Sequence, residues 1–219
     1  MIANNLNTIL SSLPEHVQLI AVSKTKPKED IAQAYQAGQK VFGENKAQEM
    51  SAKYADLPKD IHWHMIGHMQ SNKVKYIAPF VSLIHSVDSL NLLGEINKQG
   101  RKNNRVIPVL LQFHIAEEET KFGLSLPEAE VLLNSNEYSQ FQNIRVDGVM
   151  GMATFSENPE QVRKEFRELK NIFIQLKTRF FSQQENFREI SMGMSGDYKI
   201  AIEEGSTMIR VGSSIFGGR

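Results

Sequence analysis

A lysine near one end of this 219-residue chain and an arginine near the other could serve one reaction centre. Lys24 closes the apolar run Gln18–Val22 and Ser23, just before Thr25, Lys26 and Pro27. Arg210 lies in the last strand-like run, between Ser206 and Ser214. In a sheet that closes on itself the first and last strands are neighbours, so both side chains would line one cavity with nearby Gly and Ser residues. An amine condenses with an aldehyde, a guanidinium holds an acceptor, and Gly/Ser turns supply donors to a phosphate. The chemistry implied is that of a phosphorylated aldehyde.

The elements that must position these groups follow from periodicity. Apolar runs near 18–24, 40–44, 61–66, 82–87, 105–113, 144–151, 188–193 and 207–211 read as strands. Between them lie amphipathic stretches. One runs from Lys28 to Ala37 and is stopped by Gly38; another runs from Pro159 to Phe180, with Val162, Phe166, Leu169, Phe173 and Leu176 at helical spacing. Alternating strands and helices imply parallel strands joined by crossovers, and eight such units favour one closed (β/α)8 barrel over residues 1–219. Residues 2–13 read as an extra helix outside it. A dinucleotide-binding sheet would need G-x-G-x-x-G after the first strand, where this chain has Lys24, Thr25, Lys26 and Pro27.

Composition narrows the function classes. Formal net charge is zero, which argues against a dedicated nucleic-acid or membrane-surface protein. There is no cysteine, so disulfides and thiolate chemistry are excluded. Neither a signal peptide nor a membrane-spanning apolar run is visible, and the expectation is a cytoplasmic protein.

Each candidate residue can be asked whether it ends a barrel strand, where such folds place their sites. Lys24 shares strand parity with Ile20 and Val22, so it would point inward above apolar residues that favour its neutral, nucleophilic form. Lys26 has the same parity and is the fallback amine. The end of the seventh strand gives the Gly/Ser-rich stretch Ser191 to Asp197, in which Ser195 or Asp197 could cap the next helix. After the eighth, Gly212, Ser213 and Ser214 form another, and phosphate sites commonly fall between these two loops. Arg210 would face an acceptor beside them, or pair with an acid on the rim. Asn45, ending the second strand, could reach a ring hydroxyl. His62 and His64 share a face; without acidic partners nearby, a cavity-lining His64 is preferred to a metal ligand. Residues 117–123 read as an exposed charged loop.

Taken in order, several stretches resemble the pyridoxal phosphate homeostasis proteins, relatives of the N-terminal barrel of alanine racemase. They are residues 21–27, 42–45, 63–68, 70–73, 85–89, 148–153, 191–197, 205–212 and 215–217. The resemblance implies pyridoxal 5′-phosphate held as a Schiff base on Lys24, Arg210 at the pyridine nitrogen, and Asn45 near the ring. It also implies phosphate contacts from Ser191, Ser195, Gly212 and Ser213. His114 and Lys46 depart from the familiar pattern. The role implied is intracellular vitamin B6 homeostasis, buffering or delivering the cofactor, with cofactor-dependent apoenzymes as recipients and no catalytic residues; a monomer is expected separately, since the barrel closes within one chain. The alternative is a weak amino-acid racemase. Racemisation needs a second base on the opposite face of the cofactor, and none of the five tyrosines falls at an assigned strand end.

Overall fold

Eight parallel strands close into a barrel in which each neighbours the next in sequence and the eighth returns to the first. The computed structural model describes residues 1–117 and 122–218. The strands are β1 (Gln18–Val22), β2 (Val41–Glu44), β3 (His62–Met65), β4 (Leu83–Val87), β5 (Ile107–Phe113), β6 (Ile144–Gly151), β7 (Glu189–Met194) and β8 (Met208–Val211). The flanking helices begin with α1 (Ile2–Leu10), α2 (Lys28–Gln36), α3 (Ala47–Asp56), α4 (Val74–Ile77) and α5 (Leu90–Lys102). They continue with α6 (Leu126–Leu133), α7 (Asn136–Ser139), α8 (Pro159–Arg179), α9 (Tyr198–Glu203) and α10 (Ser213–Phe216). All eight expected strands are present, as is the additional helix before β1.

Strand alternation divides the core into two layers. Ile20, Val41, Leu83, Leu110, Met150 and Met208 fill the barrel interior. Their sequence neighbours Leu19, Ala21, Phe42, Ile84, Val109, Leu111, Val149 and Ile209 face outward and join the larger layer under the helices. Period-two side-chain direction on strands buried on both faces accounts for the near-continuous apolar runs in the sequence. The apolar plug leaves the C-terminal strand ends as the place where polar side chains can converge.

The register carries Lys24 and Arg210 toward each other. β1 pairs with β8 so that Ile20 lies opposite Arg210 and Ala21 opposite Val211. β7 places Met194 opposite Arg210 on its other side. Arg210 therefore stands between the strands that lead into the Lys24 turn and the Ser195 loop.

Candidate functional site

A cavity of about 670 Å³ opens at the C-terminal end of the barrel, a size suited to a small-molecule ligand. Its lining includes Lys24, Asn45, Ser195, Arg210, Gly212 and Ser213, six of the eight residues singled out in the sequence. Lys24 lies just beyond β1, half-buried, with Val22 of the same parity beside it on the wall. It also borders a second cavity of about 690 Å³, lined by Lys26, Asp30, Lys46 and Glu49 among others. Asn45 borders both. The loop after β3 comes close enough that a Cβ on Gly67 would sit 2.5 Å from the Asn45 carbonyl oxygen, so glycine is needed there for Asn45 to keep its place.

Arg210 is buried and points into the barrel mouth. Nη1 donates to Ser191 Oγ at 2.5 Å and Nη2 to the Gly151 carbonyl at 3.0 Å. It makes no ion pair with a carboxylate among the described residues, and burial pulls its pKa down to about 10, with Asp197 acting in the opposite direction. The guanidinium stays protonated at neutral pH. A buried cation held only by a hydroxyl and a carbonyl keeps donor capacity for an acceptor in the cavity.

Behind Arg210 runs a buried chain of ring nitrogens. Ser191 Oγ is 2.9 Å from His85 Nδ1, and His85 Nε2 is 3.0 Å from His64 Nδ1. Burial lowers His85 well below its ordinary value, and it lowers His64 to about 3 with a smaller push from His62. Both rings are therefore neutral. Arg210 can only donate, so Ser191 Oγ accepts from it and has its own proton to pass to His85. His64 and Ser191 are not among the residues lining the cavity. The Ser191 hydroxyl, for which a phosphate contact was expected, is engaged by Arg210 and His85, because strand parity turns it inward alongside Arg210. His64 lies two partners back from Ser191, beyond His85.

The loops after β7 and β8 are tied together by the Gly212 N–H, which donates to Ser195 Oγ at 3.3 Å. A Cβ built on Gly196 would meet nothing within 4 Å, so this glycine leaves open space at the cavity wall. Asp197 stands at the N-cap of α9 without a side-chain cap bond; its Oδ1 instead accepts from the Met194 N–H at 2.6 Å and rigidifies the turn. The hydroxyls and turn amides of Ser195, Gly212 and Ser213 suit an anion. Amine, guanidinium and Gly/Ser loops together fit a phosphorylated aldehyde with an acceptor atom in its ring.

A further cluster lies behind Lys24, on the outward side of β1 and β2. Lys53 Nζ donates to the Ser23 carbonyl at 2.8 Å, Glu44 Oε1 at 2.7 Å and Glu49 Oε1 at 2.8 Å. Ser23 Oγ donates to Glu44 Oε1 at 2.5 Å, and the Thr25 N–H donates to Glu49 Oε1 at 2.7 Å. Burial raises the Glu44 carboxyl against the pull of Lys53 and Ser23. At Glu49 burial also pushes upward, but Lys53 and the Thr25 amide prevail and its pKa is lowered. The Lys26 N–H closes the turn on the Ser23 carbonyl at 3.0 Å. Thr25 sits at φ 63°, a left-handed conformation that costs a β-branched residue about 1–3 kcal/mol. Sequence reasoning missed this cluster. The available signal was the i,i+4 pair Glu49 and Lys53 on α3, facing an acidic residue at a strand position otherwise buried.

Lys26 takes a different part from Lys24. Its Nζ donates to the carbonyls of Phe216, Gly217 and Gly218 at 3.4, 3.1 and 3.1 Å, so it fastens the C-terminal segment. The helix after β4 is capped by Ser89, which accepts from the Leu92 N–H. Asp88 lies beside it, 3.8 Å from His68. Of the charged loop read at 117–123, residues 118–121 lie outside the described residues; Phe122 stacks on His68 with ring centroids 4.1 Å apart.

The chain matches the family described as alanine racemase, N-terminal domain, over residues 1–219. It is 43% identical over 204 residues to the pyridoxal phosphate homeostasis protein of Aquifex aeolicus, covering 92% of this chain and 87% of that one. The Escherichia coli K12 protein of the same name is 35% identical over 210 residues, covering 94% and 87%. PipY of Synechococcus elongatus PCC7942, solved with pyridoxal phosphate bound, superposes with a TM-score of 0.89 at 36% identity, covering 99% of this chain and all of that one. Alanine racemase from Bartonella henselae, at 17% identity and TM-score 0.75, covers 99% of this chain but 58% of its own, and shares the fold. With the family match running end to end and these relatives well above 30% identity, the chain belongs to the pyridoxal phosphate homeostasis proteins of the alanine racemase N-terminal domain family.

Proposed function

We propose that this protein binds pyridoxal 5′-phosphate through a covalent bond from the Lys24 amine to the aldehyde carbon, and holds it reversibly for cofactor homeostasis. The observation that carries the reading is the convergence of Lys24, Arg210 and the Ser195 and Gly212 loops on one cavity. The relative solved with that cofactor supports it. When bound, the cofactor supplies an electron-withdrawing ring conjugated to its aldehyde carbon.

The residues divide the work of holding it. Ser195, Gly212 and Ser213 donate to the phosphate. Arg210 donates to the ring nitrogen without surrendering a proton to it, which weakens the ring as an electron sink and suits retention better than transamination. Asn45, on the wall of the same cavity, would hydrogen-bond the ring hydroxyl. Lys24, at the border of two cavities, remains within reach of an incoming amine that would release the cofactor to a recipient apoenzyme.

Carrier and enzyme differ in the second base. No tyrosine or histidine lines the cavity among the described residues, and stereospecific racemisation needs a proton carrier on each face. The test is α-proton exchange of L-alanine in deuterated water. Exchange by the loaded protein at a rate close to that of free cofactor is expected. Rapid, stereospecific exchange would overturn the carrier reading in favour of a racemase.

A further inference from the structure

We propose that Glu49, Lys53 and Glu44 are positioning residues for Lys24, clamping the backbone on both sides of it from behind the barrel wall. This rests on the reading of Lys24 as the cofactor-binding amine. Three observations carry it. First, the contacts fall on the two residues flanking Lys24: Lys53 holds the Ser23 carbonyl and Glu49 the Thr25 N–H. Second, the held conformation is strained, since Thr25 occupies the left-handed region where a β-branched residue rarely sits. Strain of this kind persists only where surrounding structure over-determines it. Third, the cluster is expensive to build. Glu44 and Lys53 are buried, and Glu44 Oε2 has no hydrogen-bond partner. An apolar filling of this layer would serve packing at least as well.

The geometry explains why the device sits outside the barrel. Ile20, Val22 and Lys24 share the inner parity of β1, whereas Ala21 and Ser23 turn outward. Glu44 likewise follows the inward Gly43, whose Cβ position would touch Ile20. Glu49 and Lys53, one helical turn apart on α3, reach this outer face together. Lys24 can thus be fixed without any of the three entering the cofactor cavity's wall. Its Nζ is left unencumbered for chemistry.

The test measures Lys24 directly. The unloaded protein is labelled with a trace acylating reagent, and the rate at Lys24 is read by peptide mass mapping against exposed Lys102 of the same molecule. Glu49→Ala removes the acceptor of the Thr25 N–H at a half-buried site; Glu49→Gln restores an acceptor oxygen. Folding is checked by circular dichroism, and Lys53→Gln gives a second route to the same loss. We expect Glu49→Ala to change the relative Lys24 rate by about threefold or more, the scale of one lost hydrogen bond, with Glu49→Gln returning it to the wild-type value. An unchanged rate in folded Glu49→Ala and Lys53→Gln would overturn the clamp, as would Glu49→Gln behaving like Glu49→Ala. Borohydride trapping of pyridoxal phosphate on the wild type runs in parallel. Wild type that traps nothing would remove the cofactor reading, while the labelling rates still decide the clamp.

Discussion

Arg210 and Ser191, on adjacent strands, are joined at 2.5 Å beneath the cavity floor. That bond makes Ser191 a support of the arginine. It also orders the chain behind it, from Ser191 through His85 to His64.

Arg210 bridges two strands at the cavity. Its guanidinium spans Ser191 and Gly151 while facing the cavity, and no other side chain type offers that fork. Arg210→Gln is expected to weaken pyridoxal phosphate retention by about tenfold, the scale of a charged hydrogen bond, with secondary structure intact. Equilibrium dialysis and the visible absorbance of the bound cofactor check it. Affinity and spectrum equal to wild type would remove Arg210 from the ring nitrogen.

Gly196 tests the phosphate loops. The space beside it is open, so Gly196→Ala should fold normally while its methyl occupies volume at the cavity wall. Affinity for pyridoxal phosphate is expected to fall severalfold with little change in melting temperature. Ser195→Ala should lower affinity for pyridoxal phosphate more than for pyridoxal, which lacks the phosphate. Equal losses for the two ligands would place the phosphate elsewhere.

Acid stability reports on the buried histidines. His64 in the folded protein titrates at about 3, below its ordinary 6.5. The unfolded chain therefore takes up the proton first, and acid favours unfolding. The stabilising contribution is complete above about pH 6.5 and is lost as pH falls toward about 3. His85 acts with the same sign; Glu44, raised by burial, acts with the opposite one. Denaturant titrations should show stability falling by up to about 1.4 kcal/mol per pH unit for each such histidine. The slope should be shallower in His64→Gln. An unchanged slope would mean His64 does not titrate as its burial requires.

Much of the fold was legible in the sequence because both core layers repeat along every strand. Ile20 and Ala21 announce a strand buried on two faces, and Gly38, at φ 100°, lies in the turn that ends α2. Lys24, Arg210, Ser195 and Gly212 were legible because each ends a strand or opens the turn after it. The strand position of Ser191 was legible, but not its bond to Arg210, which depends on how β7 and β8 register against each other. The Glu44, Lys53 and Glu49 cluster escaped because its meaning depends on how α3 packs behind β1 and β2. Spacing shows that Glu49 and Lys53 share a helix face, but not that the face meets the Ser23 carbonyl.

The most direct test of Lys24 as the cofactor-binding amine is borohydride reduction of the protein after incubation with pyridoxal phosphate, followed by peptide mass mapping. Visible absorbance that reduction abolishes is expected, with one stable adduct, on Lys24. An adduct on Lys26 instead, or no uptake of the cofactor at all, would contradict it.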